Sequence, residues 1–596
     1  MPMKNKLGLL RRLMKSHDLQ AYLIPSADPH QSEYVPEFWK RRQFVTGFTG
    51  SAGDAVVTLD QAGLWTDSRY FLQAERELEG SGFSLFRFGQ PRVPSWQEWI
   101  AGKLSQGEAL GVDPRLISHK SYELLGNELS RRSVVLKAVE KNLVDEIWLD
   151  RLAPPSGPLI LHEEKYAGES IGRKLERLRL KLAEEAADAH VITLLDAIAW
   201  LFNIRGSDVE YNPVAIAYAV ITRKKAALFI DLKKVSPEIK KRLDREVEIA
   251  AYDDFPARLK QLAAGKKRVW LDEASVSEWV VSQLAEGGQL ILKPSPIALF
   301  KAVKNEAEIA GFKAAHVRDG VAMVKFLRWL ESEVPRGEVT EVKAAQKLEE
   351  LRSRQPLFRG LSFRTISAYA GHAALPHYST SPETDVPLRP EGIYLIDSGS
   401  QYLDATTDIT RTVALGPPTE EQRDRLTRVL KGLLSLTRAS FPRGTAGKQL
   451  DTLARLALWE VGLNFGHGTG HGVGAFLNVH EGPQAISYYR CIGVPLEPAM
   501  VTSIEPGYYK EGEYGLRLEN MVLVVKDEVR SAGASVFYTF ETLTLCPIDL
   551  RLVKKEMLTP EETGWLNSYH QKVRERLTPF LEPKETAWLE KATRPL

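Results

Sequence analysis

The chain has little cysteine: only Cys491 and Cys546 among 596 residues. One pair cannot build a disulfide framework, so a reducing compartment is expected and stability must come from packed cores. No apolar run approaches the ~18 residues that a membrane span needs, and PVAIAYAVIT is among the longest. Neither sign of charge dominates. The 79 basic and 77 acidic residues leave a net charge of +2, so nothing marks a nucleic-acid partner or an anionic membrane. Sign-alternating runs such as RKLERLRLKLAEE read as solvated helix faces. Low-complexity tracts are missing too. The N-terminal MPMKNKLGLLRRLMKSHD is basic, with no acid before Asp18, but its apolar core LGLL is too short for a secretory signal. Leu7, Leu10, Leu13 and Met14 share one helical face, which predicts a structural helix and, by default, a cytoplasmic protein.

What is present exceeds one hydrophobic core, since cores stop growing at about 250–300 residues. Up to residue 152, short β-rich runs (AYLIP, DAVVTLD, GLWTD, FSLFRF, LGVD) alternate with amphipathic stretches such as RYFLQAERELE, the pattern of an α/β domain. The Pro- and Gly-rich APPSGP at 153–158 reads as a linker. The pattern then restarts. Ala55–Asp67 aligns with Ala219–Asp231 without a gap, with six of thirteen positions identical. The expectation is two copies of one α/β module, 1–152 and 153–300. From 301 onwards a long helical stretch, KNEAEIAGFKAAHVRDGVAMVKFLRWLESEV, opens a third, α+β domain, 301–596. Five of the twelve histidines (His372, His377, His467, His471, His480) lie close together within it.

The same domain places acids where strands are expected. Asp397 follows the apolar Ile393–Ile396, Asp408 sits in the β-branched DATTDITRTVAL, Glu505 precedes a Pro-Gly turn, and Glu519 interrupts LRLENMVLVV. Alone, each is more often a turn residue or a helix cap than a ligand. Together they are hard to excuse, because a buried carboxylate is costly unless paired or bound to metal. His471, in HGTGHGVG, is flanked by glycines that let backbone approach closely. Four carboxylates and one imidazole can hold two divalent ions about 3.5–4 Å apart. The oxygen-rich donor set suits manganese better than a thiolate zinc site.

In order, Asp397, Asp408, His471, Glu505 and Glu519 resemble the five metal ligands of the pita-bread metallopeptidases, which include methionine aminopeptidase, prolidase and aminopeptidase P. IDSGSQYLDATTDITRT, HGTGHGVGAFLNVHEGP, EPGYY and RLENMVLVV are similar to the three-domain cytosolic aminopeptidase P family. LDAIAWLFNIRGSDVEYNP, KAVKNEAE and WLNSYH extend the likeness over the chain. The resemblance implies two creatinase-like α/β modules ahead of a pita-bread catalytic domain. It also implies hydrolysis of the bond before a penultimate proline by a dinuclear metal-bound hydroxide, with Glu505 as proton acceptor. His377, His467 and His480 match histidines lining the substrate pocket, with His377 and His480 expected to contact substrate or move protons. Tyr509 is expected beside them. Arg517, two residues before Glu519 on one strand, is expected to pair with active-site carboxylates, a surface ion pair being the alternative. His372 receives no role. A homodimer is implied as well, and Trp588 and Leu589 in the C-terminal tail need cover. Two other readings stay open: a prolidase acting on Xaa-Pro dipeptides, and a non-catalytic binding module on the same fold.

Overall fold

The computed structural model describes residues 3–489, 493–531 and 535–596, so Cys491 lies outside the described residues. These fall into two compact units. One comprises residues up to Leu161 with Glu169–Ile297; the other comprises His162–Gly168 with Ala298–Leu596. The expected first helix runs Met3–Ser16 and buries Leu7, Leu10 and Met14. No helix among the described residues is long and apolar enough to cross a membrane.

The first unit is built twice from one plan. Its first six-stranded sheet is ordered Ser84–Arg87, Ala62–Thr66, Asp54–Thr58, Ala21–Ile24, Ala109–Val112, Val135–Ala138. The second is ordered Glu248–Ala251, Ala226–Ile230, Ala217–Thr222, Ala189–Ile192, Arg268–Leu271, Gln289–Leu292. Each sheet is mixed, with its antiparallel pairs inside and parallel pairs outside, in the same sequence of orientations. The register also repeats: Ala55 pairs Leu64 and Val56 pairs Gly63, as Ala219 pairs Leu228 and Val220 pairs Ala227. The gap-free alignment of 55–67 with 219–231 is therefore a conserved hairpin, in which apolar residues fill both faces. A strand buried on both faces reads as a continuous apolar run, as these do. The stretch 153–158 carries neither helix nor strand.

The second unit curls antiparallel sheets under helices. The helix Glu306–Glu333 opens it, capped by Asn305 with Glu308 reciprocating. A six-stranded sheet is ordered Phe441–Pro442, Phe537–Thr542, Asn520–Lys526, Val501–Ile504, Gly470–Gly472, Glu481–Ile486. A three-stranded sheet joins Ile366–Tyr369, Ile393–Ser398 and Ile409–Ala414, and the hairpin Gly507–Lys510/Tyr514–Arg517 stands beside them. Helices Glu420–Thr437 and Gly447–Trp459 pack so closely that a Cβ on Gly432 would meet the Ala454 carbonyl at 2.1 Å. Their leucines join strand residues such as Ile504 and Val522 in the main core. The C-terminal tail forms the helix Pro583–Ala592; Leu589 is fully buried and Trp588 Nε1 donates to Glu331 Oε2 at 2.5 Å. These two residues find their cover within their own unit, so they give no ground for a dimer.

Candidate active site

Each of the four acids and the histidine sits at a strand or at the break between two. Asp397 lies within Ile393–Ser398, paired across to Thr410. Asp408 lies just before the strand Ile409–Ala414, and Glu505 just after Val501–Ile504. Glu519 falls between Tyr514–Arg517 and Asn520–Lys526, which belong to different sheets. The single strand expected from Arg517 through Glu519 is therefore broken. The two side chains still converge, because Thr410 serves both: its hydroxyl donates to Glu519 Oε2 at 2.8 Å and accepts from Arg517 Nε at 3.1 Å.

His471 occupies the strand Gly470–Gly472, squeezed between neighbours. A Cβ on Gly470 would lie 2.0 Å from the Ser503 carbonyl, and one on Gly472 2.2 Å from the Glu481 carbonyl. The His471 Nδ1–H donates to the Gly472 carbonyl at 2.9 Å, which turns Nε2 toward Asp408 Oδ2 at 3.5 Å and Glu505 Oε1 at 3.6 Å. Ligand atoms of Asp408, His471 and Glu519 all lie within 4.8 Å of one another. His467 repeats the arrangement four residues earlier, Nδ1 on the Gly468 carbonyl at 2.8 Å and Nε2 on the Tyr509 hydroxyl at 2.8 Å. Donor arithmetic fixes the direction of this chain. Arg517 donates to the Tyr509 oxygen at 2.6 Å, so Tyr509 donates onward to His467. Burial pushes the Tyr509 hydroxyl up to about 12, against the lowering effect of Arg517, so it keeps that proton.

Arg517 also donates to Asp397 Oδ2 at 2.5 Å and is only 3% exposed, which removes the surface ion-pair reading. His480 sets its ring edge-on against His471, centroids 4.4 Å apart. His377 is half-buried in the loop after the turn Ala370–Ala374. That turn lies on the Arg517 hairpin, where a Cβ on Gly515 would meet the Ala373 carbonyl at 1.7 Å.

The electrostatics are one-sided. Burial first, and the neighbouring acids next, push the carboxyls of Asp408 and Glu519 well above the usual carboxylate range. Glu505 is raised by burial too, although His471 and Arg517 oppose this. Asp397 Oδ1 and Asp408 Oδ1 are buried with no hydrogen-bond partner among the described residues. Converging acids with open oxygens and one imidazole lone pair fit divalent cations, which would supply the missing positive charge. Several supporting residues carried no recognisable signal in the sequence. Arg411 is fully buried and donates to the Glu519 carbonyl at 2.6 Å, to the Pro547 and Cys546 carbonyls, and to the Tyr569 hydroxyl. Arg455 pairs with Asp451 at 2.6 Å and donates to the His467 carbonyl at 2.7 Å. Both stand in ordinary-looking helix or strand runs, and those partners of Arg411 lie more than a hundred residues away.

A curved antiparallel fold with acids converging on an imidazole defines a metal-dependent hydrolase of the pita-bread class. Residues 6–144 and 150–308 each match the Creatinase/Prolidase N-terminal domain, 310–526 match metallopeptidase family M24, and 536–596 match the C-terminal region of peptidase M24. A probable Xaa-Pro aminopeptidase P from Neosartorya fischeri is 42% identical over 99% of this chain and 92% of its own. Another from Neurospora crassa is 42% identical over 99% and 89%. The X-prolyl aminopeptidase of Caenorhabditis elegans, described as a cytosolic enzyme with a di-nuclear active site, matches 100% of both chains at 38% identity and a TM-score of 0.97. An Xaa-Pro dipeptidase from Bacillus anthracis, 25% identical with a TM-score of 0.52, matches 99% of its own length but 64% of this chain. The chain belongs to the Xaa-Pro aminopeptidase P family of M24 metallopeptidases.

Proposed function

We propose that the chain removes the N-terminal residue from peptides whose second residue is proline, at a centre made by Asp397, Asp408, His471, Glu505 and Glu519. The observation that carries this is that ligand atoms of Asp408, His471 and Glu519 lie within 4.8 Å of one another, with Glu505 3.6 Å from the same imidazole and oxygens of Asp397 and Asp408 left open. The five residues would hold two divalent ions, manganese preferred for an oxygen-rich donor set. Once bound, the ions supply Lewis acidity and an activated water. Glu505 accepts the proton released as the nucleophile attacks the carbonyl of the first residue. Arg517 holds Asp397 in one orientation and, through Tyr509, fixes the tautomer of His467. His480 and His377 contact the substrate and move protons as the tetrahedral intermediate collapses. His467 and Tyr509 line the pocket with them.

We assign residues 1–152 and 153–300 to the two modules and 301–596 to the catalytic domain. A dipeptidase reading would leave the part of the chain beyond the Bacillus anthracis match without a counterpart in that structure. The deciding experiment compares kcat/KM, with manganese added, for Xaa-Pro-Yaa tripeptides, Xaa-Pro dipeptides and Xaa-Ala-Yaa tripeptides. Efficient cleavage of the first, slower cleavage of the second and almost none of the third is expected. A preference for dipeptides would transfer the chain to prolidase, and equal cleavage of the alanine series would end the claim of proline specificity. Cytoplasmic residence and a homodimer belong to the same proposal. An exposed apolar group, Leu456, Trp459 and Val461, at the end of helix Gly447–Trp459 is a surface that a second copy would cover. Light scattering that returned a single 66.8 kDa species would reject the dimer.

A further inference from the structure

Glu341 opens the helix Glu341–Ser353, and its side chain is fully buried, a costly place for a carboxylate. Three donors answer it. The Tyr369 N–H donates to Oε1 at 2.6 Å, the Tyr378 hydroxyl to Oε2 at 2.9 Å, and His372 Nδ1 to Oε2 at 3.0 Å. A carboxylate only accepts, so Nδ1 of His372 carries the proton. All three donors come from the stretch 369–378, which the His372 ring closes on itself by stacking on Tyr378, centroids 4.5 Å apart and 24° between planes. The stretch contains Ala370 at φ 50°, a conformation costly for a residue with a Cβ, so its path has to be held from outside. His377 lies in this stretch, directly before Tyr378, with donors to Glu341 on both sides of it in sequence.

We infer that Glu341 is the positioning residue of His377, acting through His372 and Tyr378 to fix the loop that presents the imidazole. This gives His372 its role: it is the brace on the near side of His377, as Tyr378 is on the far side. The inference rests on the reading that His377 takes part in the reaction.

Glu341→Gln puts an NH2 where only acceptors serve the loop. It should lower kcat about a hundredfold, the cost of roughly 1 Å of misplacement. KM should stay within about threefold and the bound metal should be unchanged. Hydrogen exchange across 369–378 should quicken. Tyr378→Phe removes one donor with little change of shape and should give a smaller loss of the same kind, so the test survives if Glu341→Gln fails to fold. The deciding measurement adds either variant to His377→Ala. The double variant is expected to be no slower than His377→Ala alone, since the loop would then have nothing to position. A further, multiplicative loss in the double variant would overturn the inference while leaving His377 in its role. Normal turnover of His377→Ala alone would instead overturn the assignment of His377, and the inference with it.

Discussion

In the doubled α/β module, two buried lysines find all they need within the fold. Lys234 meets Asp208, and Lys174 donates to the Trp200 carbonyl at 2.9 Å and to Asn203 at 2.7 Å. In the C-terminal unit, Asp397, Asp408, Glu505 and Glu519 share one buried space with a single arginine among them. A solitary buried charge answered by one counter-ion or by dipoles is settled by the fold alone. A buried surplus of one sign is not settled, and the balance has to come from what the protein binds. These two sets of groups thus separate charge that serves architecture from charge that serves chemistry.

The contrast breaks if the acidic centre tolerates loss of a member. Asp408→Ala or Glu519→Ala should abolish both turnover and bound metal, read by peptide assay and elemental analysis. A variant keeping both would dissolve the distinction. His480→Ala sharpens it: metal content should hold while turnover falls about 10²–10⁴-fold, the range for a lost general acid or base. In the module the opposite pattern is expected. Lys234→Ala leaves Asp208 buried without its partner and should cost roughly 3–5 kcal/mol of stability, measured in urea. The kcat/KM per folded molecule should stay put. The smallest effect concerns pH. His570, on helix Pro560–Leu577, accepts the Ile548 N–H at 3.1 Å, and burial, with Arg411 and Arg574 nearby, lowers it to about 3. The unfolded chain takes up that proton below an ordinary histidine value of about 6.5 while the folded chain does not, so stability falls as pH drops through that window. His570→Gln keeps an acceptor and should flatten the fall by at most ~1.4 kcal/mol per pH unit. An unchanged slope between pH 6.5 and 5 would refute the neutral histidine.

How much of this was legible in the sequence follows the same division. The module hairpin Ala55–Asp67 was readable because its side chains obey local rules, apolar runs bounded by turns, and its copy at Ala219–Asp231 obeys them again. The acids of the centre were readable because they violate those rules, each standing in or beside an apolar strand. What escaped was long-range. Glu519 looked like a member of one continuous strand, yet the chain changes sheets there, where Arg411 and Thr410, more than a hundred residues earlier, bond to it. Glu341 looked like any helical acid in EVKAAQKLEEL, and only the fold brings the loop at 369–378 to it. Trp588 and Leu589 looked like a surface in need of a partner because their cover, around Glu331, lies 257 residues from Trp588 along the chain.

The dependence of Glu519 on Arg411 has a consequence for biosynthesis. Arg411 is braced in turn by the Cys546 and Pro547 carbonyls and the Tyr569 hydroxyl. On a ribosome, the two modules are complete once Ile297 has emerged and can fold as a unit while synthesis continues. The centre has no such head start. Its last acid arrives at residue 519 and the last brace of that acid at 569. A nascent chain therefore carries a finished scaffold and an unassembled catalyst between residues 297 and 569, and its hydrolytic power is withheld over that span.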